Sequence, residues 1–194
     1  MEANTSNIYL FKALEAYPYE LAKAIEALNY ALSYDPENVR ALCLMATIQH
    51  EQLGEYEVAR SYYERALASR LDIPNVYPEF IRLLVNNEDF DDAQRLIDFA
   101  RTVKGIDRAG IELAQGHLYE AIARYDDALD SLKEAKQLAM NGEFIYHVDE
   151  VISRIKKKRE VENNKKRKIE ETVKEPTQDS SMPKWLSDRL NNLL

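Results

Sequence analysis

Four alanine pairs recur along this 194-residue chain at a nearly constant step: Ala24 and Ala31, Ala59 and Ala66, Ala93 and Ala100, Ala128 and Ala135. Successive pairs lie 35, 34 and 35 residues apart, and self-similarity at such a period marks a stack of small repeated units rather than one closed core. The surrounding positions keep the same register. Three residues before the first alanine of each pair stand Leu21, Tyr56, Phe90 and Tyr125, and four residues after it stand Leu28, Tyr63, Ile97 and Leu132. A small residue, a bulky one and another small one at spacings of four and three fall on a single helix face. The alanines let a neighbouring helix approach closely, and the bulky residue fills the space between them.

Composition agrees with helices and narrows the functional classes. The chain is 45% hydrophobic and 31% charged with only 5 glycines, as expected of a mostly helical, soluble protein. There is no apolar run of membrane-spanning length, and Met1 to Asn7 lacks the basic start and apolar stretch of a signal peptide. A cytoplasmic protein with no membrane span is the expectation. The lone Cys43 has no disulfide partner in the chain and reads as a small packing residue on an apolar helix. Net charge is unevenly placed: −13 over residues 1–151, +7 over residues 152–169 and −2 from Glu170 onward. An acidic body repels nucleic acid and anionic membrane, whereas the basic segment attracts both.

The alanine-paired pattern resembles the tetratricopeptide repeat over about residues 5–140. The likeness is clearest in the last unit, where Gly116, Tyr119, Tyr125, Ala128, Leu132 and Ala135 fall on the family's signature positions. Leu53, Gly54, Tyr56 and Ala59 mark the turn of the second unit, Asp35 and Pro36 end the first, and the third keeps Phe80, Phe90 and Ala93. The chain departs from the pattern at Lys12, at Glu88 where a turn glycine belongs, and at Met140 where a closing proline belongs. The first helix of the second unit fits two frames, packing either Met45 and Ala46 or Ala46 and Thr47. The resemblance implies an all-α fold, an α-solenoid of about four helical hairpins.

On this reading residues 5–142 form the four hairpins. Thr5 or Ser6 is the expected cap of the first helix, and Gly105 and the Asn141, Gly142 pair are expected to end helices in left-handed conformation. Residues 143–169 form a capping helix with a basic extension, its stripe of Phe144, Val148, Val151, Ile152 and Ile155 covering the open end of the stack. Residues 170–181 read as a flexible polar linker containing Pro176. For residues 182–194, Ser181 as cap and Pro183 in the first turn, then Leu186, Leu190 and Leu193 at four and three, predict a short amphipathic helix, widened by Trp185, the chain's one tryptophan, and Leu194. This is the candidate docking helix, acting on a partner or in self-association.

Chemistry is not written in this sequence. His50, His117 and His147 lack metal-spaced partners, and no paired cysteines or glycine-rich phosphate loop occur, so no catalytic residue, metal or cofactor is expected. The resemblance implies instead a groove lined by the first helix of each hairpin: Tyr9, Ala13 and Tyr17, then Leu44 and Ile48, then Arg82 and Val85, then Leu113 and His117. One subclass of the family grips carboxylate-ended peptides with lysine, asparagine and arginine. The matching places here hold Tyr9, Ala13, Ile48, Pro78 and Arg82, a single basic residue, so an apolar polypeptide segment is the expected ligand. Lys156, Lys157, Lys158 and Arg159, with Lys165, Lys166, Arg167 and Lys168, form two basic clusters without interleaved aromatics. They suit sequence-blind contact with nucleic-acid phosphates. The sequence reads as a protein-binding adaptor or assembly scaffold, with a nucleic-acid-associated factor as the alternative.

Overall fold

The structure, a computed structural model, describes residues 2–174 and 189. Among these the chain is all helical, in two compact units, Met1–Ile152 and Ser153–Leu194. The first holds four hairpins: α1 (Glu2–Ala16) with α2 (Leu21–Tyr34), α3 (Val39–Glu51) with α4 (Tyr56–Ser69), α5 (Val76–Asn86) with α6 (Phe90–Thr102), and α7 (Arg108–Ala121) with α8 (Tyr125–Leu138). A long helix, α9 (Gly142–Lys174), follows and continues into the second unit. Residues 170–174, read in sequence as the start of a linker, are therefore helical; the rest of that segment and residues 182–188 and 190–194 lie outside the described residues.

The alanine periodicity is a packing rule. All eight paired alanines have no exposed surface, and the bulky residues between them, Leu28, Tyr63, Ile97 and Leu132, are at most 1% exposed. Gly116 takes the same logic further, because a Cβ added there would lie 2.8 Å from Cγ of Leu132 on the facing helix. The core falls in two clusters that the half-buried Leu32 and Tyr62 both touch. Leu10, Ala13, Leu28, Met45 and Ile48 close the first hairpin against α3, and Leu42, Tyr63, Tyr77, Leu84, Ile97 and Leu118 continue through α7. Met45 and Ala46 are buried while Thr47 is half-exposed, its hydroxyl donating to the Cys43 carbonyl at 3.1 Å, which selects the first of the two frames for α3. At the other end Val148, Val151 and Ile155 of the expected capping stripe are buried, and Lys136 of α8 pairs with Asp149 of α9 at 2.7 Å.

Helix ends differ from expectation where local side chains override the pattern. Neither Thr5 nor Ser6 is a cap, since α1 begins at Glu2 and both lie inside it. Asn38 does cap, its side chain accepting from the Ala41 amide at 3.2 Å. Pro78 sits in the first turn of α5, where no intrahelical donor is needed. Gly105 has the expected positive φ of 80°, but Gly142 opens α9 instead of ending α8, and the Asn141 side chain accepts from the Glu143 amide at 2.9 Å. Three hairpin turns share one left-handed position, filled by Gly54 (φ 70°), Glu88 (64°) and Ala123 (59°). The residue after it in the third and fourth hairpins donates back across the helix end, Asp89 to Leu84 at 2.9 Å and Arg124 to Tyr119 at 2.8 Å, the wrapping bond of a Schellman ending. Glu88 is thus forced into the conformation its missing glycine would adopt freely.

Two stability outcomes follow from this packing. Ala93→Leu or Ala128→Leu is expected to lose about 1–3 kcal/mol by overpacking, measured by urea unfolding; unchanged midpoints in both would contradict the close helix contact. Glu88→Gly and Ala123→Gly act on exposed residues held at positive φ, and each is expected to gain about 0.5–1 kcal/mol by relieving a left-handed backbone. Gly54→Ala should move the midpoint the opposite way.

Candidate functional site

The first helices of the hairpins, α1, α3, α5 and α7, carry the residues expected to line a groove, and the structure divides those residues into three groups. Ala13 and Ile48 have no exposed surface and are core. Tyr9 turns toward α2, its ring stacked on Tyr30 at 5.1 Å and Tyr34 at 5.8 Å. The remaining residues, Tyr17, Leu44, Arg82, Val85, Leu113 and His117, are half-buried, each with surface left to offer.

Polar groups on this face are tied to one another. The Tyr17 hydroxyl, just beyond α1, donates to Glu51 Oε2 at the end of α3 (3.3 Å). Glu51 Oε1 accepts from Arg82 Nη2 of α5 at 2.6 Å, and the same nitrogen donates to Glu79 Oε2 at 2.6 Å. Three hairpins are thereby joined through one arginine. Burial works against the Arg82 charge, but the Glu79 and Glu51 carboxylates outweigh it and raise its pKa. With two carboxylates already on it, Arg82 offers little to a peptide carboxylate, so the one basic residue surviving from the clamp pattern is spent within the chain. Burial also raises the Tyr17 hydroxyl pKa, with Glu51 adding to the effect. His50 Nε2 lies 3.5 Å from Asn86 Nδ2, and burial, followed by the neighbouring Arg82, lowers its pKa so that the neutral ring is favoured. The Glu79–Arg82 pair has the three-residue spacing of helix neighbours and was visible in sequence. Glu51, which completes the network from another hairpin, carried no such local signal.

The hairpin junctions hold further polar pairs that periodicity did not indicate. Arg101 of α6 makes a two-pronged contact with Glu112 of α7 at 2.9 Å for each prong. Gln94 and Gln115 exchange amide hydrogen bonds at 3.1 and 2.9 Å across the same junction. Tyr56 and Arg60 of α4 reach Asp89 and Asp92 of the next hairpin, the Arg60–Asp92 pair at 3.0 Å. Each is a structural pairing with its donors and acceptors satisfied.

Groups that would suggest chemistry stay apart. Among the described residues there is no cluster of three or more His, Cys, Asp or Glu able to hold a metal, and no helix is long and apolar enough to cross a membrane. Burial, with a smaller push from Glu79, raises the Cys43 thiol to about 12, leaving it protonated at neutral pH and without nucleophilic thiolate. The basic residues Lys156, Lys157, Lys158, Lys165, Lys166, Arg167 and Lys168 of α9 are exposed and Arg159 is half-buried, with Lys166 paired to Glu162 at 2.8 Å. At 100° per residue Lys156 and Arg167 share one side of the helix while Lys158 and Lys165 share the opposite one, so charge surrounds the helix. Trp185, Leu186, Leu190 and Leu193, the candidate docking helix, lie outside the described residues.

Comparison with known proteins agrees with this architecture. Residues 41–77 match the family model of the tetratricopeptide repeat. No curated protein matches the chain in sequence. Among solved structures, PilF of Pseudomonas aeruginosa superposes with a TM-score of 0.64 at 18% identity, covering 79% of this chain and 73% of that one. A tetratricopeptide repeat protein from Parabacteroides merdae gives 0.61 at 17% identity over 81% of this chain and 59% of its own. MamA from Desulfovibrio magneticus RS-1 gives 0.58 at 14% identity, covering 91% and 98%. At these identities the likeness is one of fold, and with the repeat match it leads to a single conclusion: residues 41–77 carry a tetratricopeptide repeat, and the described hairpins have the fold of tetratricopeptide-repeat proteins.

Proposed function

We propose that this protein is a non-catalytic adaptor or assembly scaffold that binds an apolar polypeptide segment on the face of α1, α3, α5 and α7, with residues 182–194 serving as a docking element. One observation carries the reading. Arg82, the one lysine or arginine among the expected groove residues, is neutralised by Glu51 and Glu79, while Leu44, Val85 and Leu113 keep apolar surface exposed on the same helices. A face of this kind favours an amphipathic helix or an extended apolar stretch over a carboxylate-ended tail. Burying a large apolar side chain contributes roughly 1.5–3 kcal/mol before ordering costs, so two or three such contacts support a micromolar complex. The repeat architecture supports the same reading, because stacked hairpins present extended surfaces to other polypeptides.

The test is selection of binders from a displayed peptide library, followed by titration of the selected peptides. Binding is expected to survive amidation of the peptide's C-terminus, to change little with salt, and to weaken about tenfold or more in Leu44→Asp or Leu113→Asp. A requirement for a free carboxylate, or indifference to both substitutions, would overturn the assignment of this face. Trp185 reports separately on the docking element. Its emission should shift to the blue on addition of the selected partner or within the full chain; emission like that of free tryptophan in both conditions would remove the docking role.

A second reading rests on a different observation, the ring of basic side chains on α9. In it the protein is a nucleic-acid-associated factor whose segment 154–168 contacts phosphates while the repeats position it. Counterion release makes such binding fall steeply with salt. Duplex binding that vanishes between low and physiological salt and in Lys157→Glu/Lys165→Glu would support this reading, and absence of binding even at low salt would dismiss it.

A further inference from the structure

The repeat allows each position of the first hairpin to be compared with its equivalents farther along. At the step set by the alanine pairs, Phe11 corresponds to Ala46, Phe80 and Gln115, and Ile8 to Cys43, Tyr77 and Glu112. Ala46, Phe80 and Gln115 are 0, 6 and 1% exposed, whereas Phe11 is 59% exposed. The reason is visible in what covers the later residues. Phe80 stacks on Tyr63 of α4, ring centres 5.4 Å apart, and Gln115 bonds Gln94 of α6. In both cases the cover is the second helix of the preceding hairpin, and no described helix takes that place beside α1. Phe11 and Ile8, with Leu14 on their flank, therefore form an apolar junction face that no helix covers among the described residues; Ile8 is 50% exposed and Leu14 39%.

We infer that this outer face of α1 is a self-association surface whose occupant is the same face of a second copy, paired about a two-fold axis. The far end of the stack excludes the head-to-tail alternative. Leu129 of α8, at the position of Gln94 in α6, is already 5% exposed, and the Lys136–Asp149 pair fastens α9 against that hairpin. Among the described residues no open junction is left there, so stacking closes at a dimer instead of growing into a filament. Charge supports pairing like with like. The open cleft between α1 and α2 carries both signs, Lys12 and Lys23 with Glu15, Glu20 and Glu26, Lys23 being paired with Glu20. A mixed border of this kind on one side of an apolar face pairs with its own two-fold copy when one copy's Lys12 meets the other's acidic groups.

Sedimentation velocity of the full chain across micromolar to sub-millimolar concentration tests the inference. A monomer–dimer equilibrium is expected, weakened about tenfold or more by Phe11→Asp while the circular-dichroism melt stays unchanged, because the substituted side chain is exposed. Lys12→Glu should also weaken the dimer, and adding Glu15→Lys to it should restore part of the loss. A chain ending at residue 181 should dimerise like the full protein, which separates this surface from self-association through residues 182–194. A protein monomeric at every concentration, a dimer indifferent to both Phe11→Asp and Lys12→Glu, or a dimer abolished by the truncation would each overturn the inference.

Discussion

Close approach of helices at alanine is the contact on which the rest of this structure depends. A hairpin whose two helices meet at residues without exposed surface leaves no room for a larger side chain, and this fixes which face of each helix turns inward. Once that face is set, the bulky residue between each pair is committed to the core, and the opposite faces are committed to the next hairpin or to solvent. Gly116 carries the same constraint to its limit: even a methyl group there would meet Leu132. Stability is then summed along the stack, since each hairpin is stabilised mainly by its neighbours.

Polar pairs decide something different, namely the register and the chemistry of the surfaces. Apolar burial is tolerant of small slides, whereas the Arg101–Glu112 contact and the reciprocal Gln94–Gln115 bonds are satisfied in one arrangement only. Glu112 and Gln115 are buried in a junction whose equivalents elsewhere are apolar or small, and leaving either unpaired would cost more than the pair contributes. On the face of the first helices, the Tyr17–Glu51–Arg82–Glu79 network removes a positive charge that a count of basic residues would leave available. The ligand preference proposed for this face follows from that neutralisation more than from its apolar residues.

Comparison of equivalent positions is informative because the repeat supplies its own control. A half-exposed phenylalanine is unremarked on most proteins, since much of any surface is apolar. Phe11 differs in that its three equivalents on the same backbone are buried, two of them against the second helix of the preceding hairpin. The two ends of the stack also differ, with Lys136 of the last hairpin paired to Asp149 of α9 and no such helix described beside the first.

Sequence alone determined the number of hairpins, their order and the inward face of the second helix of each, because these depend on local spacing of small and large residues, which a periodic pattern states directly. Its misjudgements fall where a neighbour or a local side chain overrides the pattern. Glu88 and Ala123 take a glycine's conformation because the wrapping hydrogen bonds of the turn demand it. Gly142 opens a helix because Asn141 caps it. Ala13 and Ile48, assigned to a groove by family position, are buried against the adjoining hairpin, and Tyr9 turns to the tyrosines of α2. The frame of α3, the partner of Arg82 and the exposure of Phe11 were left to tertiary structure. The partner of Arg82 lies 31 positions away, and the burial of α3 and α1 depends on which helices pack beside them, which no local periodicity encodes.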